Sequence, residues 1–208
     1  MLLICPILGA LLGAAAGLYA HRTTEKAVSS NQNKTVLGCA LAGALGWGLA
    51  ALTQDVLRAA LYGVLFTLLT AVAVIDWRMF EIPNGLNLAI AALGAVQLAL
   101  DFGNWKLYLV GMCSVSLLFL ALWALTKGAG IGMGDVKLMA AAGLLLGWPR
   151  ILLSMLLGSV LGSVIHLFRM KRGAGKRLAF GPYLSAGIMF SAWFGSTMIS
   201  AYLGLFGL

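Results

Sequence analysis

A chain of 208 residues that is 62% hydrophobic and only 10% charged, with a mean hydropathy of +0.99, lies far outside the soluble globular range and is an integral membrane protein. In lipid the backbone must satisfy its own hydrogen bonds, so long apolar runs without a period-two pattern define an all-α membrane bundle and exclude a barrel. The net charge of +8 does not point to nucleic acid, because the basic residues fall in short loops between apolar runs, where they set topology.

A spanning helix needs about 20 apolar residues, fewer where neighbours shield it. On that measure eight runs are predicted helices: residues 2–20, 36–53, 56–76, 85–100, 106–126, 135–147, 150–168 and 180–206. The first has no basic residue ahead of it and Arg22 and Lys26 behind it, so it reads as a retained helix with its N-terminus outside. Between the first two runs, His21 to Thr35 is polar and too short for a folded domain. With the N-terminus outside, one set of loops holds eleven basic residues, among them Arg78, Lys127, Lys137 and the Arg169–Arg177 cluster. The other set holds Arg58, Lys106 and Arg150, so the richer side is cytoplasmic. The cluster, with Gly173 and Gly175, suits contact with anionic headgroups of the membrane lipids.

Glycine spacings such as Gly9-x-x-x-Gly13-x-x-x-Gly17, Gly43-x-x-Gly46 and Gly158-x-x-x-Gly162 let helices approach closely. Trp47, Trp77, Trp105, Trp148, Trp193 and Tyr202 read as interfacial anchors. Cys5, Cys39 and Cys113 lie singly in apolar runs, with no C-x-x-C pair, and read as small buried hydrophobes. His21 and His166 read as packed or interfacial side chains, and no metal is expected.

Six acidic residues remain to be placed. Asp55, Asp101 and Glu25 fall in loops, where a solvated charge is the natural reading, and Glu81 follows Asp76 by five residues. Asp76 ends the third helix and Asp135 opens the sixth, which the topology puts on the same cytoplasmic face. A carboxylate flush with hydrocarbon costs several kcal/mol unless paired, hydrated or protonated. Singly, Asp135 fits a helix N-cap and Asp76 an ion pair with Arg78; together, with Gly130, Gly132 and Gly134 opening the loop, they favour a shared site. Two adjacent carboxylates share one proton, and the ionised one takes a proton from water while the other polarises a carbonyl. Asp135, at the positive end of a helix, is the expected base and Asp76 the proton donor. Gly132 and Gly134 let an extended strand lie near the backbone; Pro83 fixes a turn and Asn84 is expected to cap helix four.

The stretches Asp76-Trp77-Arg78-Met79-Phe80-Glu81-Ile82-Pro83-Asn84, Gly132-Met133-Gly134-Asp135-Val136-Lys137-Leu138 and Phe180-Gly181-Pro182-Tyr183-Leu184 resemble, in order, the signature motifs of the type IV prepilin peptidases, membrane aspartyl proteases of the G-x-G-D class. The resemblance covers residues 70 to 190. It implies an eight-helix membrane fold in the bacterial cytoplasmic (inner) membrane with Asp76 and Asp135 as catalytic residues, and the apolar runs, which leave no stretch for a soluble domain, make 1–208 one membrane-embedded peptidase domain. The implied substrates are prepilins or pseudopilins carrying a short basic leader before a hydrophobic helix, cut at the cytoplasmic face. Gly132, Gly134, Lys137, Glu81, Pro83 and Asn84 are the candidate substrate-side residues. Many members carry a cytoplasmic segment with paired C-x-x-C motifs after helix one, associated with N-methylation. Here that place holds only His21–Thr35, without cysteine, so neither zinc nor S-adenosylmethionine is expected as a cofactor.

Other readings compete with this one, among them a non-catalytic assembly subunit of a secretion machine, which would leave the intact Asp76 and Asp135 without a reason. Presenilin-like proteases share G-x-G-D, but their first aspartate follows a tyrosine rather than Ile75. A proton-coupled transporter would carry titratable residues deep in several helices or inverted repeats. A bifunctional peptidase and methyltransferase would need other residues in place of the missing cysteines.

Overall fold

The computed structural model describes residues 4–24, 32–53, 55–172 and 178–205. Among them are eight α-helices and no strand: α1 (Ile4–Thr24), α2 (Gln32–Thr53), α3 (Val56–Met79), α4 (Asn84–Leu100), α5 (Trp105–Leu125), α6 (Met133–Leu146), α7 (Trp148–Lys171) and α8 (Gly181–Gly204). Each overlies one predicted run. Several continue about a turn past the apolar residues, as in Gln32–Thr35 and Arg169–Lys171, because a helix end is set by backbone hydrogen bonding rather than by hydropathy. The calls on Glu25, Lys26, Gly173, Gly175, Lys176 and Arg177 lie outside the described residues.

Among the described residues, four segments are long and apolar enough to cross a membrane: Val56–Met79, Phe102–Leu125 (α5 with the short 3₁₀ turn before it), Trp148–Lys171 and Gly181–Gly204. The 17 residues of α4 and 14 of α6 reach only about 25 and 21 Å at 1.5 Å per residue.

The chain forms two compact units, Met1–Ile82 and Pro83–Leu208. In the first, α1, α2 and α3 pack on one another through glycines. A Cβ built on Gly9 would lie 2.4 Å from the Gly43 carbonyl oxygen, and one on Gly13 2.2 Å from that of Cys39, so backbone meets backbone there. Trp47 departs from the interfacial role expected of it. It is buried, its ring fills the space beside Gly63, and its indole N–H donates to Thr67 Oγ1 at 3.4 Å. Only Cys39 of the three cysteines is fully buried; Cys113 is exposed.

In the second unit α6 is the central helix, in contact with α4, α5, α7 and α8, and its Leu138, Met139 and Leu145 are almost wholly buried. Its close approach to α5 rests on Gly111 and Gly143, where a Cβ on Gly143 would come 2.2 Å from the Gly111 oxygen. Gly158 and Gly162 receive Leu184 and Tyr183 of α8, as their spacing predicts. Asp101 is not simply solvated. Half-buried after α4, it accepts hydrogen bonds from the Tyr108 hydroxyl (2.7 Å) and the Asn104 amide (2.9 Å).

Candidate functional site

Asp76 lies in the last turn of α3 and is buried, with 5% of its surface exposed. Its carbonyl oxygen accepts the Phe80 N–H at 2.9 Å, closing the helix with Phe80 in the left-handed region (φ 56°, ψ 32°). Glycine usually takes that position; a side chain there costs about 1–2 kcal/mol. Beyond it Glu81 is exposed and Ile82 buried. Two residues past Asp76, Arg78 donates to Thr24 Oγ1 (2.9 Å) and Thr35 Oγ1 (2.5 Å), tying α3 to the end of α1 and the start of α2. Beside these contacts α2 and α3 border an open groove of about 530 Å³, with Lys34, Thr35 and Arg78 in its lining.

In the second unit, Gly132 is the N-cap of α6, at φ −75° and ψ 145°, a conformation open to any residue. Asp135 is three positions on; its N–H donates to the Gly132 carbonyl at 3.1 Å, and only 8% of its surface is exposed. Its carboxylate folds back over the cap, so a Cβ on Gly132 would lie 3.3 Å from Asp135 Oδ2. The glycine is there for room rather than for a special dihedral. An acidic group in the first turn also faces the positive end of the helix dipole.

Two polar contacts join α4 to this turn. Lys137 Nζ donates to Asn84 Oδ1 at 2.8 Å, and Asn87 Nδ2 donates to the Gly134 carbonyl at 3.3 Å. Helical side chains lean toward the N-terminus, which lets Lys137 reach back to the first residue of α4. The expectation that Asn84 caps α4 needs correcting. Pro83 holds the cap position (φ −59°, ψ 133°), its carbonyl accepting from the Leu86 and Asn87 amides, while Asn84 is the first helical residue and its oxygen is taken by Lys137. Gly134 lies inside the first turn of α6.

Of the residues singled out in the sequence, Asp76 and Glu81 belong to the first unit. Pro83, Asn84, Gly132, Gly134, Asp135 and Lys137 belong to the second, where the α4–α6 contacts join Asn84 to Lys137 directly. Asn87 went unnoticed. A polar residue three after Asn84, on the same helical face, is the signal that marks it.

The helices and the two buried carboxylates, one in the last turn of α3 and the other in the first turn of α6, define a polytopic all-α membrane protein that keeps acidic side chains away from solvent. Residues 63–167 match the model of the type IV leader peptidase family, and the chain belongs to that family. It is 36% identical over 160 residues to a prepilin leader peptidase/N-methyltransferase of Xanthomonas campestris, covering 70% of this chain and 53% of the relative. Identity to the protein of that name in Escherichia coli is 32% over 158 residues, 72% and 68% of the two chains. For the Bacillus subtilis protein it is 31% over 145 residues, 67% and 58%. The chain spans about half the length of the first of these curated relatives. No solved structure matches it. With its apolar helices and bacterial relatives, it is an inner-membrane protein.

Proposed function

We propose that this chain is an aspartyl endopeptidase that removes the short basic leader from prepilin or pseudopilin precursors at the cytoplasmic face of the membrane, with Asp76 and Asp135 activating water. The observation that carries the proposal is burial. Among the described acidic residues, Asp76 and Asp135 alone are buried, whereas Asp55 and Glu81 are exposed and Asp101 is half-buried. Burying a carboxylate in a membrane bundle is expensive, and positions that retain one are functional by default. Family membership supplies the reaction class.

In the proposed mechanism the ionised carboxylate takes a proton from water as the water attacks the scissile carbonyl. The protonated partner donates to the carbonyl oxygen; as the tetrahedral intermediate collapses, the base passes the proton it took from water to the leaving amine and the hydroxyl proton returns to the partner. No covalent acyl-enzyme forms. The helix-start position of Asp135 favours its charged form, so Asp135 is the base and Asp76 the acid. Glu81, exposed one turn past Asp76, is proposed to face the basic leader; Lys34 and Arg78, both cationic, would repel it. The chemistry as proposed uses neither a metal nor S-adenosylmethionine, since no C-x-x-C pair follows α1.

The test is cleavage of a pilin-like precursor by the purified protein in liposomes, with product termini read by mass spectrometry. Asp76→Asn and Asp135→Asn should each abolish the cut while leaving helical content unchanged. Substantial activity in either variant refutes the dyad, and proton flux with no cleavage by wild type favours the transporter.

A further inference from the structure

We propose that Asn87 is a positioning residue, holding the first turn of α6 through the Gly134 carbonyl and thereby fixing where the Asp135 carboxylate points. The inference rests on Asp135 being catalytic, as proposed above.

The first turn of α6 is weakly specified by its own sequence. Two of its first three positions from the cap are glycines, Gly132 and Gly134, and Gly132 supplies no side-chain cap. Glycine carries the largest backbone entropy of any residue, so such a turn frays unless something outside it holds it. Asn87 supplies that restraint. It lies on α4 with 5% of its surface exposed, and its Nδ2 donates to the carbonyl of the residue immediately before Asp135. The amide's orientation follows from chemistry, because a carbonyl oxygen only accepts and the Asn87 atom facing it must be the nitrogen.

Packing does not account for asparagine at this place. Asn87 Oδ1 is buried and has no hydrogen-bond partner among the described residues. An unmet buried acceptor is a net cost, whereas leucine, close in size, would pack against α6 at none. What the asparagine adds is the single contact to Gly134. Lys137 gives a second tie on the same helix pair, but it is exposed and reaches the surface residue Asn84, so it restrains the turn less closely.

The experiment compares Asn87→Leu, Asn87→Gln and Asp135→Asn with wild type, measuring kcat and KM separately on a pilin-like precursor in liposomes. Thermal unfolding and hydrogen exchange of the Gly134–Val136 amides are measured alongside. Asn87→Leu should leave the melting temperature unchanged or raised and KM within about twofold. Its kcat should fall about 10- to 100-fold, the cost of a displaced catalytic group. The Gly134–Val136 amides should exchange about tenfold faster, and Asn87→Gln, which keeps the donor, should recover most of the rate. Unchanged kcat and exchange in Asn87→Leu overturn the inference. So does a loss that Asn87→Gln shares and that follows the melting temperature, since that is a packing defect. If Asp135→Asn still cleaves, the assignment of Asp135 itself falls; if it is inactive while Asn87→Leu is fully active, only the role of Asn87 falls.

Discussion

Replacing Gly132 by alanine separates room from backbone freedom at the turn that carries Asp135. The backbone there (φ −75°, ψ 145°) accepts alanine without strain, so the added methyl acts through what it touches. It would meet Asp135 Oδ2 at 3.3 Å, closer than most Cβ contacts, and the carboxylate must yield by a few tenths of an ångström. A misplacement of about 1 Å costs a catalytic group about 100-fold, so a shift of that smaller size should lower kcat about three- to tenfold. Fold stability should change by less than about 1 kcal/mol, since alanine is a somewhat poorer N-cap than glycine. Gly132→Val presses further into the same space and should cost about 100-fold, giving a graded series. The assay is kcat on a pilin-like precursor, with thermal unfolding in the same detergent. Equal rates for glycine, alanine and valine would show that the carboxylate does not work from the position over the cap.

If Glu81 faces the leader, Glu81→Gln should raise KM several-fold for a precursor with a basic leader and leave a neutral-leader precursor unchanged; equal losses on both sink the assignment. Gly143→Ala should destabilise the second unit by about 1–3 kcal/mol, because its methyl would overlap the Gly111 carbonyl and force α5 and α6 apart. Chemical unfolding in mixed micelles measures this, and an unchanged midpoint would mean that the contact yields without loss.

The helices were readable because hydropathy and helix formation coincide in lipid, where each apolar run must satisfy its own backbone. The buried carboxylates were readable too, since Asp76 and Asp135 each stand at the edge of an apolar run. What hydropathy hides is the direction a side chain takes at a helix end. Asn84, expected as a cap, instead meets Lys137, because one residue of helical phase changes what it faces and Pro83 can begin the helix unaided. The place of Trp47 in its run points to an interfacial ring, but Gly63 on α3 leaves room that draws the ring inward. Spacing from Asn84 marks the face that Asn87 shares, but not its partner: that is a backbone carbonyl 47 residues away, and a backbone atom leaves no mark in the sequence.

The link between α6 and α7 bears on how the protein is made. Gly147 alone separates them, at φ 80°, so α6 ends at Leu146 and α7 begins at Trp148. With 14 residues, α6 falls short of the about 20 that a segment needs to partition into a bilayer by itself. A one-residue hinge to a 24-residue apolar partner removes that requirement, because the pair can enter as a helical hairpin whose long arm carries the short one. Biogenesis of the turn that bears Asp135 therefore depends on a helix made after it. A ribosome stalled soon after Leu146 emerges should leave α6 outside the membrane, and synthesis of α7 should draw it in.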